Sequence, residues 1–157
     1  MVAFINEHWD MFNNKKLLEI GSGTGVLAIY FKLKGFEIIT SDYNDPEIEE
    51  NIKFNCSLNG IDPSSVTHIR HSWGNEFPKE YLNSFDLVVA NDIFLYDKEY
   101  SNLITTFEQL LQKPSVTCII HWNRRIEEFS KFFALAKERN LSMVNFAPGI
   151  YVLKKEI

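Results

Sequence analysis

The feature that most constrains this chain is the segment Leu17-Leu18-Glu19-Ile20-Gly21-Ser22-Gly23-Thr24-Gly25. Lys16 to Ile20 is a short apolar run of the kind that makes a buried strand, and it ends on an acid followed by three alternating glycines. Val26, Leu27, Ile29, Tyr30 and Leu33 then recur at helical spacing to Lys34, where Gly35 can end the helix. A glycine turn between strand and helix tolerates positive φ and lets a ligand approach the backbone closely. A dinucleotide fingerprint places its third glycine one position later, where this chain has Val26. The spacing here is Gly-x-Gly-x-Gly.

The rest of the chain repeats the alternation. Strands are predicted at Phe36 to Thr40, Val66 to His71, Phe85 to Ala90 and Val116 to Ile120. A helix is predicted from Pro46 to about Asn59, with Pro at its first turn and Glu47, Glu49 and Glu50 at its acidic start. Leu103, Ile104, Phe107, Leu110 and Leu111 mark a further helix that Pro114 ends, and Ile126, Phe129, Phe132, Phe133 and Ala136 mark another. Two last strands, near Leu141 to Phe146 and Ile150 to Leu153, are joined through Pro148-Gly149, too short a link for a crossover helix. The expected fold is therefore α/β, a Rossmann-like, doubly wound, mostly parallel seven-stranded sheet with a C-terminal antiparallel hairpin. A length of 157 residues suits a single domain over 1–157, with a short N-terminal helix at about Phe4 to Phe12.

Ligands of such sheets bind beyond the carboxyl ends of the strands, at the point where strand order reverses. Asp42 falls there, about twenty residues past the glycines, where a carboxylate can accept both ribose hydroxyl hydrogens. The formal net charge of −5 weighs against a phosphate backbone as partner. Cys56 and Cys118 match no metal-ligand spacing and are read as buried thiols in a reducing compartment. No apolar run is long enough to span a bilayer and no signal pattern opens the chain, so a cytoplasmic location is expected. The four histidines have no partner motif and are read as ordinary polar residues, although His121 lies on the ligand side.

The glycine spacing with Glu19 resembles the first motif of class I, seven-β-strand, S-adenosylmethionine-dependent methyltransferases. Ser41-Asp42-Tyr43, Asn51 and Asn55, Ser72-Trp73-Gly74, the run Phe85 to Asp92, and Ile119 to Arg125 narrow this to a resemblance to family 16, many of whose members methylate protein lysines. The likeness covers about Phe4 to Leu153. It implies S-adenosylmethionine as cofactor, with the loop holding its methionine part. It further implies a cofactor set of Glu19, Gly21, Ser22, Gly23, Gly25, Asp42, Tyr43, Trp73 and Asn91, with Trp73 beside the adenine. Asp92 is expected to orient the acceptor amine, and Phe94 or Tyr96 to wall its alkyl stem. No metal is implied.

Two departures stand out. The group shows Asp-x-x-Tyr after the fourth strand, whereas Asp92-Ile93-Phe94-Leu95-Tyr96 sets the Tyr one residue later. The strands and Trp motif that the group carries ahead of its first helix are expected to be absent. The Asn/Asp-Pro-Pro-aromatic run of amino-methylating nucleic-acid enzymes does not follow the fourth strand, which with the acidic charge weighs against nucleic acid. The family resemblance implies a protein substrate, and a monomer away from the membrane is expected. A small-molecule amine methyltransferase and a cofactor-binding module without activity stay open as alternatives.

Overall fold

Why the glycine turn lands where it does follows from the sheet. The computed structural model describes residues 1–123 and 129–156. Its strands are β1 (Leu17–Ile20), β2 (Ile38–Asp42), β3 (Thr67–Arg70), β4 (Leu87–Asn91), β5 (Thr117–His121), β6 (Leu141–Ala147) and β7 (Ile150–Lys155). Its α-helices are α1 (Val2–Glu7), α2 (Val26–Leu33), α3 (Pro46–Leu58), α4 (Tyr100–Leu110) and α5 (Phe129–Glu138). The strands form one sheet in the order β3-β2-β1-β4-β5-β7-β6. The first five pair in parallel, and β7 runs antiparallel between β5 and β6. Strand order reverses at β1, which lies between β2 and β4, so its carboxyl end opens into the crevice where such sheets take ligands.

The two-residue period of the strands builds both cores. Leu18, Ile20, Val88, Ala90, Cys118 and Ile120 face α4 and α5. Leu17, Leu87, Val89 and Ile119 face the other way, onto α1 and α2. Ile29, Ile52, Cys56 and Val66 join α2 to α3. Both cysteines are buried and free, as read from the sequence.

Boundaries moved in instructive places. Phe36 does not start β2; it packs edge-on against Trp9 and Phe31 below the sheet, and pairing begins at Ile38. The N-terminal helix breaks at His8 (φ −122°, ψ 40°), and Trp9–Met11 continues as a 3₁₀ turn. That break lets Phe4, Ile5 and Phe12 all reach the core. Ile126 and the pair Arg124-Arg125 lie outside the described residues. Among the described residues no helix is long and apolar enough to cross a membrane.

Candidate functional site

Two clefts flank the turn after β1. The first, about 400 Å³, is lined by Glu19, Gly21, Ser22, Gly23, Thr24 and Asn91, with Met1, Val2, Val26 and Leu27 from α1 and α2. The second, about 320 Å³, is lined by Asp42, Tyr43, His71, Ser72, Trp73, Tyr96, Lys98 and Glu99. Gly21, Ser22 and Gly23 line the first, and Asp42, at the end of β2, lines the second and bonds to the Gly23 N–H.

The turn is held from below. Ser22 Oγ donates toward the carbonyls of Ser41 (3.2 Å) and Glu19 (3.3 Å) and accepts from the Ser41 N–H (3.1 Å), which locks it to β2. Asn55 on α3 donates to the Thr24 carbonyl at 2.9 Å. The glycines serve different ends. At Gly21 (φ +67°) a Cβ would stand 2.7 Å from Ile93 Cγ2 and 3.6 Å from the Trp73 ring. At Gly23 (φ +52°) a Cβ would meet nothing, so its backbone lies open to the first cleft. Gly25, expected in the cofactor set, lines neither cleft: it is buried under Ile52, and its part is to let α2 start against α3.

Two carboxylates mark the two clefts. Asp42 accepts the Gly23 N–H on one oxygen and the Tyr43 N–H on the other, each at 2.6 Å. These bonds fix its orientation at the cleft edge. Glu19 is only 2% exposed, and its Oε2 has no hydrogen-bond partner among the described residues. Burial, with the Asp42 charge adding to it, pushes its carboxyl up from the usual 4.5 to about 8, against the bonds from Ser22 and Ala28 that favour the charged form. A buried acceptor without a donor is costly unless something else supplies one. The first cleft therefore offers a place for a cationic donor.

The loop after β3 forms the far wall. Trp73 packs against the main core, and its rim lies near Gly21. Helix α4 pins this loop with polar residues set in its apolar face. Thr106 Oγ1 accepts the Gly74 N–H (3.0 Å), and Gln109 accepts the Phe77 N–H (2.7 Å) while donating to the Asn75 carbonyl (2.9 Å). His71 is buried beside Phe77, with Nε2 3.1 Å from the Asn75 carbonyl. Burial holds its imidazole below the usual range. Sequence reasoning passed over Thr106, Gln109, Lys98 and Glu99. The signal for the first two was a polar residue at otherwise buried helix positions.

Beyond β4 the chain turns sharply. Asp92 adopts φ +56°, a left-handed conformation uncommon outside glycine, and its N–H donates to the His121 carbonyl (3.1 Å). Such strained residues cluster at functional sites. The turn sends the next residues to unlike places. Phe94 is fully buried and touches the rings of Tyr100, Trp122, Phe129 and Phe132. This corrects the expectation that it walls the acceptor, since it belongs to the core. Tyr96 is 64% exposed and lines the second cleft with Tyr43 and Trp73 rather than the first with Asn91. The ring of Tyr96 thus lies on the side of Asp42 and Trp73. Asn51 lies on the exposed side of α3.

The lysine methyltransferase family model matches residues 2–139, nearly all of the chain up to the final hairpin. The chain belongs to the lysine methyltransferase family. It is 33% identical over 113 residues to the protein N-terminal and lysine N-methyltransferase efm7 of Aspergillus fumigatus, covering 66% of this chain and 44% of that one. It is 31% identical over 145 residues to the protein-lysine methyltransferase METTL21E of Mus musculus, covering 86% of this chain and 57% of that one. The chain thus spans about half the length of the curated relatives it matches. Among solved structures it is similar in fold to a ribosomal protein L11 methylase from Lactobacillus delbrueckii subsp. bulgaricus, with a TM-score of 0.69 at 18% identity, over 99% of this chain and 78% of that one. Family and fold imply S-adenosylmethionine as the cofactor. The residues present suit it: a buried carboxylate oxygen without a donor in one cleft matches a cationic amino-acid end, and an aromatic cleft edged by a carboxylate matches a nucleoside.

Proposed function

We propose that this chain transfers a methyl group from S-adenosylmethionine to the side-chain amine of a lysine in a protein. The observation that carries the reading is a pair of clefts linked through the Gly23–Asp42 hydrogen bond, with Glu19 buried in one and Asp42 at the edge of the other. Glu19 Oε2 would take the ammonium of the cofactor's methionine end, and the open backbone at Gly23 would lie against that chain. Asp42 would accept the ribose hydroxyls, and Trp73, Tyr43 and Tyr96 would enclose the adenine. When bound, the cofactor supplies a methyl already activated by its sulfonium. What remains for the protein is alignment and a neutral amine. Asp92, next to Asn91 at the end of β4, would hold the incoming amine in line, and the matched protein-lysine methyltransferases support a lysine as its source.

The test uses Asp92→Ala and labelled cofactor in a cell lysate. The expected result is a labelled protein band with the natural chain, none with the variant, and cofactor affinity intact in calorimetry. Unchanged transfer by the variant removes Asp92 from the mechanism. A labelled small product with the natural chain would replace the protein acceptor by a metabolite, and binding without any product would leave a cofactor-binding module.

A further inference from the structure

His121 closes β5 directly opposite Asn91 in the sheet register. Its Nδ1 lies 2.8 Å from Asn91 Oδ1. An amide oxygen only accepts, so Nδ1 carries the hydrogen and Nε2 keeps its lone pair. Among the described residues Nε2 has no protein partner, and it is not sealed away from solvent. On the same residue the carbonyl receives the Asp92 N–H, so the sheet holds the imidazole and the turn at Asp92 in one fixed relation. Asn91 meanwhile lines the cleft that contains Glu19. The cluster Asn91, Asp92 and His121 thus stands at the carboxyl ends of β4 and β5.

Resting on the methyl-transfer reading above, we infer that His121, oriented by Asn91, takes the proton from the acceptor ammonium at Nε2. In that step an ammonium N–H bond breaks, an Nε2–H bond forms, and the electron pair stays on the amine nitrogen. The neutral amine then bonds to the methyl carbon as the methyl–sulfur bond breaks, its pair passing to sulfur. The imidazolium returns its proton to water. Asn91 Oδ1 suits both charge states, because Nδ1–H donates to it before and after. Imidazole is a stronger base than an ordinary carboxylate by roughly two to three pK units, and Glu19, the raised carboxyl of the same cleft, is committed to the cofactor's ammonium in the reading above. Burial, then the amine of Met1, hold the His121 imidazole below its usual range, and the Asp92 charge opposes them. Those are the charges acting on it from α1 and from the turn after β4; its partner on β7, Ile150, brings none. The lone pair is therefore available at neutral pH.

His121→Asn retains a donor for Asn91 but lacks the basic nitrogen. With lysine-rich protein as acceptor over pH 6–10, kcat of the variant should fall about 10²- to 10⁴-fold, the usual worth of a positioned base. Acceptor KM and cofactor affinity should hold, and the acid limb of the kcat/KM profile should move up from the imidazole range to that of the amine itself, about 10. Nitrogen NMR of the natural chain with cofactor should show the Nδ1–H tautomer of His121 at neutral pH. The inference is overturned if the variant keeps its rate and acid limb, or if the spectrum shows Nε2–H. A purely structural His121 would lower Tm and cofactor affinity while the limb stayed in place, which also overturns it. If the natural chain methylates no amine at any pH, the methyl-transfer reading itself falls and takes this inference with it. A full-rate variant beside an active natural chain strikes His121 alone.

Discussion

Replacing Glu19 by Gln should stabilise the cofactor-free protein while weakening its hold on cofactor. The native carboxyl is raised from 4.5 to about 8, so the folded protein keeps a proton there that the unfolded chain has released. Below pH 4.5 both states are protonated and the site costs nothing. As pH climbs toward 8 the unfolded state gains by ionising, and folding stability drains away; above about 8 the loss is complete. The span between the two values corresponds to roughly 5 kcal/mol as an upper limit. Gln retains the shape and the bonding to Ser22 and Ala28 without the charge. Thermal unfolding from about pH 5 to 9 should therefore show the two proteins together at the acid end and the Glu19→Gln variant pulling ahead above it. For a chain of this size each kcal/mol is worth about 2–4 °C, which caps the gap near 10–20 °C. Calorimetry in two buffers should show that cofactor releases a proton from the natural protein between about pH 6 and 8 and none from the variant. Parallel unfolding curves, with equal proton release, would refute the reasoning.

The Phe94 and Tyr96 assignments separate cleanly. Phe94→Ala should cost about 3–5 kcal/mol of stability, read as a lowered Tm, because it empties a site among four rings. Tyr96→Ala should leave Tm nearly in place and weaken cofactor by about 1–3 kcal/mol, the worth of one stacked base, read as Kd in calorimetry. Gly21→Ala should lose cofactor binding and destabilise the fold. Adding Ile93→Ala should return the part due to the 2.7 Å clash but not the part due to φ +67°, and a double-mutant cycle on Tm measures the split.

Much of this was legible from spacing. The alternation of periods marked the seven strands, and the Pro148-Gly149 link required the hairpin. Only the structure shows that β7, not β6, lies against β5. The placement of Glu19, Gly21, Gly23 and Asp42 at the clefts was readable because strand ends and glycine turns are local. Phe94 and Tyr96 were not, because the left-handed turn at Asp92 decides which way each ring points. Gly25 misled for a related reason: a glycine needed for packing on Ile52 looks the same in sequence as one needed for a ligand. Thr106 and Gln109 were invisible as supports of the cleft wall because their partners, Gly74, Asn75 and Phe77, lie 32 to 34 residues away in the chain.

The placement of β7 has a consequence for how the chain is made. When β5 emerges during synthesis, its outer edge is a row of unpaired amides and carbonyls along Thr117-Cys118-Ile119-Ile120-His121, most of them on buried residues. The next strand made, β6, cannot cover it, because the finished sheet seats β6 one place further out. The edge stays open until β7 is made and pairs with it, carrying β6 as the outer arm of the hairpin. Unpaired apolar edges of this kind invite pairing with other chains. The period between synthesis of His121 and of Lys155 is thus the time at which the nascent protein is most open to aggregation, and a slow codon run or a stalled ribosome there would lengthen it.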